Sequence, residues 1–515
     1  MGTYTQDTAR WLDRRYARVS PDGVYEAHMP IYGLGHPASE AGHMVRFGIS
    51  YRLLRTLDTL EFDDLLAVGG GEGFLPHLVR GAFGADVAVL DLSVESVLRA
   101  HQFFGIDGVA ADATRLPFRD GSFDVVVCSE VIEHLEFPVE ALLELVRVAR
   151  RAVIVTTLEF ERDREAVARH RFQRCRYPHF EQNLFLPEDL ELVLGRDVRL
   201  LSELRHPVPA DGRSRDETAA WIAQATAHGR LLDDGAGVLC VLEKVPSTRE
   251  RRRSDDELAR VLLDDSAVEP DGVVPPRPRA VPASLLRRMI CPIDRDELRE
   301  DGERLVAACG RSYEVRGGVP ILYDLAHPDP TDDDLRERVR GERDAAEVER
   351  LVALRRDLVG PSFDGVRSFD LRDVDQRRGW LTAPSLAPGE ARDGGYAFVA
   401  TNGDPWLVSP VVGVSARDVV AVRVAMRVHA PDATVAEGTA QVFWLFEDDD
   451  DLGEDRSRLF TVANSPEVRE YRIELADRFA DEGRRRILLF RLDPADGPCT
   501  IELLRFEIET AGAAR

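Results

Sequence analysis

Between residues 45 and 245, short unbroken apolar runs alternate with stretches whose apolar positions recur every three or four residues. The apolar runs fall at 65–68, 87–90, 125–128 and 152–155. Runs of this length bounded by turn residues fit strands buried on both faces. Their alternation with helices predicts an α/β, doubly wound parallel sheet, Rossmann-like in class. Before it, residues 1–44 form an N-terminal segment: a helix over 7–18, then a stretch of aromatic, His and Gly residues with little periodicity. A helix over 42–60 leads into the first strand, and a helix over 187–194 carries Pro187 at its first turn. Residues 246–283 lose periodicity and end in a proline-rich stretch that reads as a stiff linker. Residues 284–325 form a small α+β unit. Residues 326–360 are dense in Asp, Glu and Arg over an apolar stripe (Leu335, Val339, Leu351, Leu354, Leu358) and read as an exposed linker helix. From 361 to 512 the period becomes two, which predicts an all-β sandwich.

The chemistry concentrates where the first strand ends. Leu65-Leu66-Ala67-Val68 runs into Gly69-Gly70-Gly71-Glu72-Gly73-Phe74, and a helical pattern follows. A strand–glycine turn–helix unit lets a cofactor approach the backbone. Phe74 occupies the position where a dinucleotide fingerprint needs a third small residue. The Gly69, Gly71, Gly73 spacing therefore suits a ligand without a pyrophosphate. Asp91 ends the second strand, placed to accept from ribose hydroxyls, and Asp112 follows the third. The fourth strand ends in Ser129-Glu130-Val131-Ile132-Glu133-His134.

These four ordered motifs resemble the class I S-adenosylmethionine-dependent methyltransferases, especially those acting on small molecules, lipids and glycans, over about residues 45–245. The resemblance implies a closing antiparallel strand near 237–244 and S-adenosyl-L-methionine as cofactor. It places the backbone of Gly69, Gly71 and Gly73 on the methionyl part, Asp91 on the ribose, Leu92 on the adenine, Asp112 and Ala113 at the adenine amino group, and Ser129 beside the cofactor. His134, near the sheet edge and of suitable acidity, is the candidate general base. The family's acidic residue two positions before the first glycine is replaced by Ala67, and Glu72 stands inside the turn where Ser or Thr is commoner. The hold on the cofactor's ammonium is thus left open. Tyr32, His36 and His179 are candidates for lining an acceptor pocket or for structural roles. The absent Asn/Asp-Pro-Pro-Tyr signature argues against adenine or glutamine nitrogens as acceptors.

Residues 284–325 keep the opening Cys291-Pro292, the Cys309-Gly310-Arg311 and the Gly318-Val319-Pro320 ending of a small zinc-ribbon-like family that partners methyltransferases. Asp294 and Val306 or Ala307 stand near the missing thiolates, so no metal is expected. Residues 403–410 and 491–494 resemble the jelly-roll modules of surface-glycan enzymes. Trp380, Trp406 and Trp444 could there stack on sugars or fill a core. The acidic stretch 445–452 reads as a solvated hairpin tip rather than a calcium loop.

The net charge of −25 argues against a sequence-independent grip on nucleic acid. Six scattered cysteines make no disulfide framework. With no apolar run long enough for a membrane span and no apolar signal core at the start, the cytoplasm is expected. The resulting expectation is O-methylation of a small molecule or glycan. The alternatives are an enzyme acting on RNA or a translation factor with a built-in activator, and a non-catalytic glycan-binding scaffold.

Overall fold

A computed structural model describes the chain apart from residues 1–2, 34–35, 39–42, 159, 174–182, 196–197, 204–237, 248–251, 265–267, 270–271, 324–326, 402–403, 431–435, 450–451, 481, 484 and 512–515. The chain divides into two compact units, one of residues 1–167 and 183–359, the other of residues 168–182 and 360–515.

The first unit is built on seven strands: β1 (Asp64–Val68), β2 (Asp86–Asp91), β3 (Gly108–Ala110), β4 (Phe123–Ser129), β5 (Ala149–Thr157), β6 (Val198–Glu203) and β7 (Val238–Glu243). They lie in the order β3-β2-β1-β4-β5-β7-β6. The first five run parallel, and β7 is antiparallel to both β5 and β6. Alternate residues point to opposite faces, as the two-residue strand period requires. Leu66, Val68, Leu90, Val126 and Val153 join one core, while Leu65, Ala67, Val89, Val125 and Ile154 join the other. Helices α1 (Thr3–Tyr16), α2 (His43–Leu57), α3 (Phe74–Phe83), α4 (Val94–Phe104), α5 (Pro138–Val148), α6 (Pro187–Leu194) and α7 (Asp255–Asp264) surround the sheet. The first helix thus starts and ends earlier than its expected span of 7–18.

Two segments expected to be linkers are packed elements. Helix α7 lies within the expected linker 246–283, with Leu258 and Leu262 fully buried. The chain just before it is fastened to Asp58, which accepts from the Arg252 and Arg253 amides at 2.7 and 2.8 Å and pairs with the Arg253 side chain at 2.9 Å. Helices α8 (Asp332–Arg338) and α9 (Ala345–Val359) bury their apolar stripe in the core that covers one sheet face. Charge-rich composition hid this. Arg355 is buried by pairing with Glu140 of α5 and with Asp332 at 2.9 Å, so a charged position serves as an interior one.

The segment expected at 284–325 forms a four-stranded antiparallel sheet inside the first unit: β8 (Leu298–Asp301), β9 (Arg304–Ala307), β10 (Ser312–Arg316) and β11 (Val319–Pro320). It covers the exposed edge of β3. Ile321 bridges Ala110 in parallel, and the Leu322 amide donates to the Ala110 carbonyl at 2.7 Å. Met289 bridges Phe118, and the Ile290 amide donates to the Pro117 carbonyl at 3.0 Å. An edge strand otherwise leaves a row of peptide groups unsatisfied by the sheet.

The second unit carries two six-stranded sheets. One orders Leu386–Pro388, Tyr396–Ala400, Cys499–Thr510, Val419–His429 and Arg469–Glu474, with Ser368–Asp370 also paired to Cys499–Thr510. The other orders Leu381–Thr382, Leu407–Val408, Arg486–Asp493, Glu437–Phe446 and Ser457–Ala463, with Val414–Ser415 also paired to Arg486–Asp493. They share one apolar core, where the rings of Phe490 and Phe506 meet across the sheets at 5.9 Å.

Candidate functional site

The strand order reverses between β1 and β4, and the carboxyl ends of those strands define the crevice where an open α/β sheet takes ligands. After β1 the chain turns sharply, with Gly69, Gly71 and Gly73 at φ 67°, 51° and 81°. Side chains at these glycines would collide with the protein itself. A Cβ on Gly69 would lie 2.2 Å from the Val131 side chain, and one on Gly73 2.8 Å from Ala100. At Gly71 the nearest atom is the Tyr16 hydroxyl, 2.9 Å away.

The four glycine amides of this turn are committed. Gly69 and Gly70 both donate to the Leu90 carbonyl (2.7 and 3.2 Å), Gly71 to Asp91 Oδ2 (2.9 Å) and Gly73 to the Gly70 carbonyl (3.0 Å). A phosphate-binding loop needs such N–H groups directed at the ligand. The turn therefore does not fit a pyrophosphate and is compatible with a cationic, phosphate-free cofactor, as Phe74 implied.

Asp91 is buried at the end of β2. Its Oδ2 holds the turn, and its Oδ1 accepts from the Ser93 amide at 3.0 Å. Burial nonetheless raises its carboxyl above the usual carboxylate range, outweighing both backbone bonds. Each oxygen keeps a second acceptor direction for a ribose hydroxyl. Leu92 follows half-exposed. Asp112 uses Oδ1 on the Thr114 amide at 2.9 Å, and burial raises it also; Ala113 beside it is buried. The Ser129 hydroxyl lies 2.7 Å from that of Thr156 on β5. All the expected cofactor residues thus lie at the carboxyl ends of strands β1 to β4 or in the segments just after them.

Ala67 is buried in the core below the turn. Glu72 does not take over the role of a missing acid there. Its Oε2 accepts from the amides of His28 and Met29, each at 3.0 Å, so it fastens the N-terminal segment onto the turn. Burial pushes Glu72 up to about 7, against those two amides and the nearby Arg15 and Arg99. Asp13 of α1 adds a second fastening, accepting from the Ser93 hydroxyl at 2.7 Å and the Glu95 amide at 3.2 Å. A periodicity-poor segment gives no sign of this from sequence, because its order comes from hydrogen bonds rather than an apolar stripe.

His134 ends the short turn of 3-10 helix Ile132–His134 beyond β4, half-buried, its amide bonded to the Val131 carbonyl. The residue that stands out is Glu130. It has a left-handed backbone, φ 55°, uncommon for a residue with a side chain, at the carboxyl end of β4. Tyr32 is buried with its hydroxyl unpaired, and burial pushes it up to about 12. His36 packs on Tyr32 with ring centroids 4.9 Å apart and accepts from the Ala38 amide. His179 lies outside the described residues.

Cys291, Asp294 and Cys309 bring one ligand atom each within 4.8 Å of one another. Asp294 is also paired with Arg311 at 2.7 Å, and the Cys291 sulfur lies 3.2 Å from the Tyr313 hydroxyl. Val306 and Ala307 offer no donor side chain, so three groups stand where a closed zinc site takes four. In the second unit Trp380 and Trp444 are core residues, and only Trp406 is partly exposed, with Arg491 over its ring at 5.6 Å. Within the acidic stretch, Arg485 and Arg456 neutralise Asp449 at 2.9 and 3.1 Å, and Arg485 also pairs with Asp448.

Comparison with known families places a methyltransferase domain model on residues 66–156, the stretch that carries β1 to β5. This stretch matches a methyltransferase domain. The domain is 25% identical over 164 residues to norajmaline N-methyltransferase from Rauvolfia serpentina, covering 28% of this chain and 56% of that protein. It is 37% identical over 96 residues to demethylmenaquinone methyltransferase from Renibacterium salmoninarum, covering 18% of this chain and 39% of that protein. The chain therefore spans about half or less of the length of these relatives. Geranyl diphosphate C-methyltransferase from Streptomyces coelicolor aligns at 14% identity and TM-score 0.30, over 49% of this chain and 99% of that one.

Proposed function

We propose that the protein transfers a methyl group from S-adenosylmethionine to an oxygen of a small molecule or glycan intermediate in the cytoplasm. The observation that carries this reading is the glycine turn at the switch point. Its glycine amides are spent inside the protein, and it is held by Asp91, the carboxylate expected to accept from a ribose. S-adenosylmethionine supplies an electrophilic methyl group on a sulfonium, so the protein's main task is to hold the donor and the acceptor in line. Gly69, Gly71 and Gly73 shape the methionyl end of the site. Asp91 takes the ribose with Leu92 beside it, Asp112 and Ala113 take the adenine, and Ser129 closes the side toward β4. His134 accepts the proton of the acceptor group where one must leave. The half-exposed Trp406 of the second unit offers a surface for sugar contact.

A second reading has its own support. The small unit of residues 284–325 pairs with β3 at the sheet edge through Ile321 and Leu322, which suits a built-in activator of an enzyme acting on RNA or a translation factor. The net charge of −25 weighs against RNA. Among the described residues no helix is long and apolar enough to cross a membrane. Calorimetry with S-adenosylmethionine on the whole chain tests the reading. Micromolar binding that Asp91→Ala abolishes supports it, and absence of binding by the wild type overturns it.

A further inference from the structure

Among the described residues, Arg46 and Glu130 form no ion pair. Arg46 projects from the first turns of α2 and is half-buried; its one hydrogen bond among the described residues runs from Nη1 to the Met29 sulfur at 3.1 Å. Glu130, at the end of β4, anchors Oε2 on the Leu158 amide at 3.1 Å, while Oε1 is enclosed with no hydrogen-bond partner. The two feel each other's charge, yet form no ion pair with one another. Both stand close to the glycine turn. Val131, next to Glu130, fills the space above Gly69, and Arg46 shares its surroundings with Tyr16, whose hydroxyl meets Gly71.

The environment works against both charges. Burial lowers the pKa of Arg46 despite Tyr16, Glu72 and Glu130. Burial pushes Glu130 up to about 7, against the Thr156 hydroxyl, the Leu158 amide, Glu133 and Arg46. Glu130 also keeps a left-handed backbone, of the kind retained at functional sites when the surroundings fix it. A desolvated cation and a desolvated anion near one turn, not paired with each other, match a ligand that carries both charges on one carbon.

We propose that Arg46 and Glu130 form a clamp for the amino-acid end of the cofactor, Arg46 taking its carboxylate and Glu130 its ammonium. This rests on S-adenosylmethionine being the donor. It also answers why Ala67 can stand where related enzymes carry an acid, because the anion comes from the end of β4 instead.

The test is calorimetry on the whole chain with two probes, S-adenosylhomocysteine and 5′-methylthioadenosine, the second lacking the amino-acid end. Arg46→Met and Glu130→Gln should each weaken S-adenosylhomocysteine about tenfold to a hundredfold, the range of one charged hydrogen bond. Both should leave 5′-methylthioadenosine within about twofold of wild type. Arg46→Lys, which keeps the cation, should recover part of the loss and serves where Arg46→Met fails to fold. Unchanged S-adenosylhomocysteine affinity in both variants overturns the clamp alone, as does an equal loss for both probes. A wild type that binds neither probe overturns the clamp and the donor assignment together.

Discussion

Glu72→Gln separates the charge of a buried carboxylate from its hydrogen bonds. Glu72 is 1% exposed, and its Oε2 holds the His28 and Met29 amides. Glutamine retains an acceptor for both amides and carries no charge to desolvate. Burial lifts the native carboxyl from 4.5 to about 7. Between the ordinary carboxylate range and 7, the folded protein binds more protons than the unfolded chain, so stability falls as pH rises through 7. At ~1.4 kcal/mol per tenfold change in proton affinity, the wild type should lose about 2–3 kcal/mol relative to the variant between pH 5 and pH 8. Urea unfolding of both proteins at these two pH values measures this, with amide exchange over residues 64–91 reporting the first unit. The expected result is a variant more stable than wild type at pH 8 and close to it at pH 5. An identical pH dependence in the two proteins, or an equal loss in the variant at both pH values, would refute the assignment of a desolvated carboxylate.

Other perturbations probe the frame around the site. Gly69→Ala adds a Cβ at φ 67°, 2.2 Å from Val131, and should destabilise the first unit by about 2–4 kcal/mol in urea titrations. Arg355→Met leaves Glu140 buried without its cation. It should lower stability by about 3–5 kcal/mol, and the double variant Arg355→Met, Glu140→Met should recover most of that. Leu322→Pro removes the 2.7 Å bond to the Ala110 carbonyl. It should cost about 1–3 kcal/mol and speed amide exchange in β3 while leaving exchange in β5 unchanged.

How far the site could be read before folding depended on the kind of signal. The glycine turn, Asp91 and Asp112 were legible because a strand end, a tight turn and a carboxylate at fixed spacing are local features, and the sheet order then brings them to one edge. The sequence around Glu130 signals no role for it, since only its backbone angle and its enclosed oxygen distinguish it. Glu72 is unusual inside such a turn, but its partners lie more than forty positions away. Helices α8 and α9 showed their apolar stripe, yet their charge density hid that the stripe is buried.

The sequence by itself determined the alternation of strands and helices, the change of period near residue 361 and the rejection of a dinucleotide at Phe74. Periodicity and turn chemistry act over a few residues, so they survive in a linear reading. Only the tertiary structure decided that the segment 284–325 covers the β3 edge, that Glu72 fastens the N-terminal segment to the turn, and that Arg46 and Glu130 are both buried near it. Those outcomes depend on desolvation and on long-range pairing, and neither exists until the chain has folded.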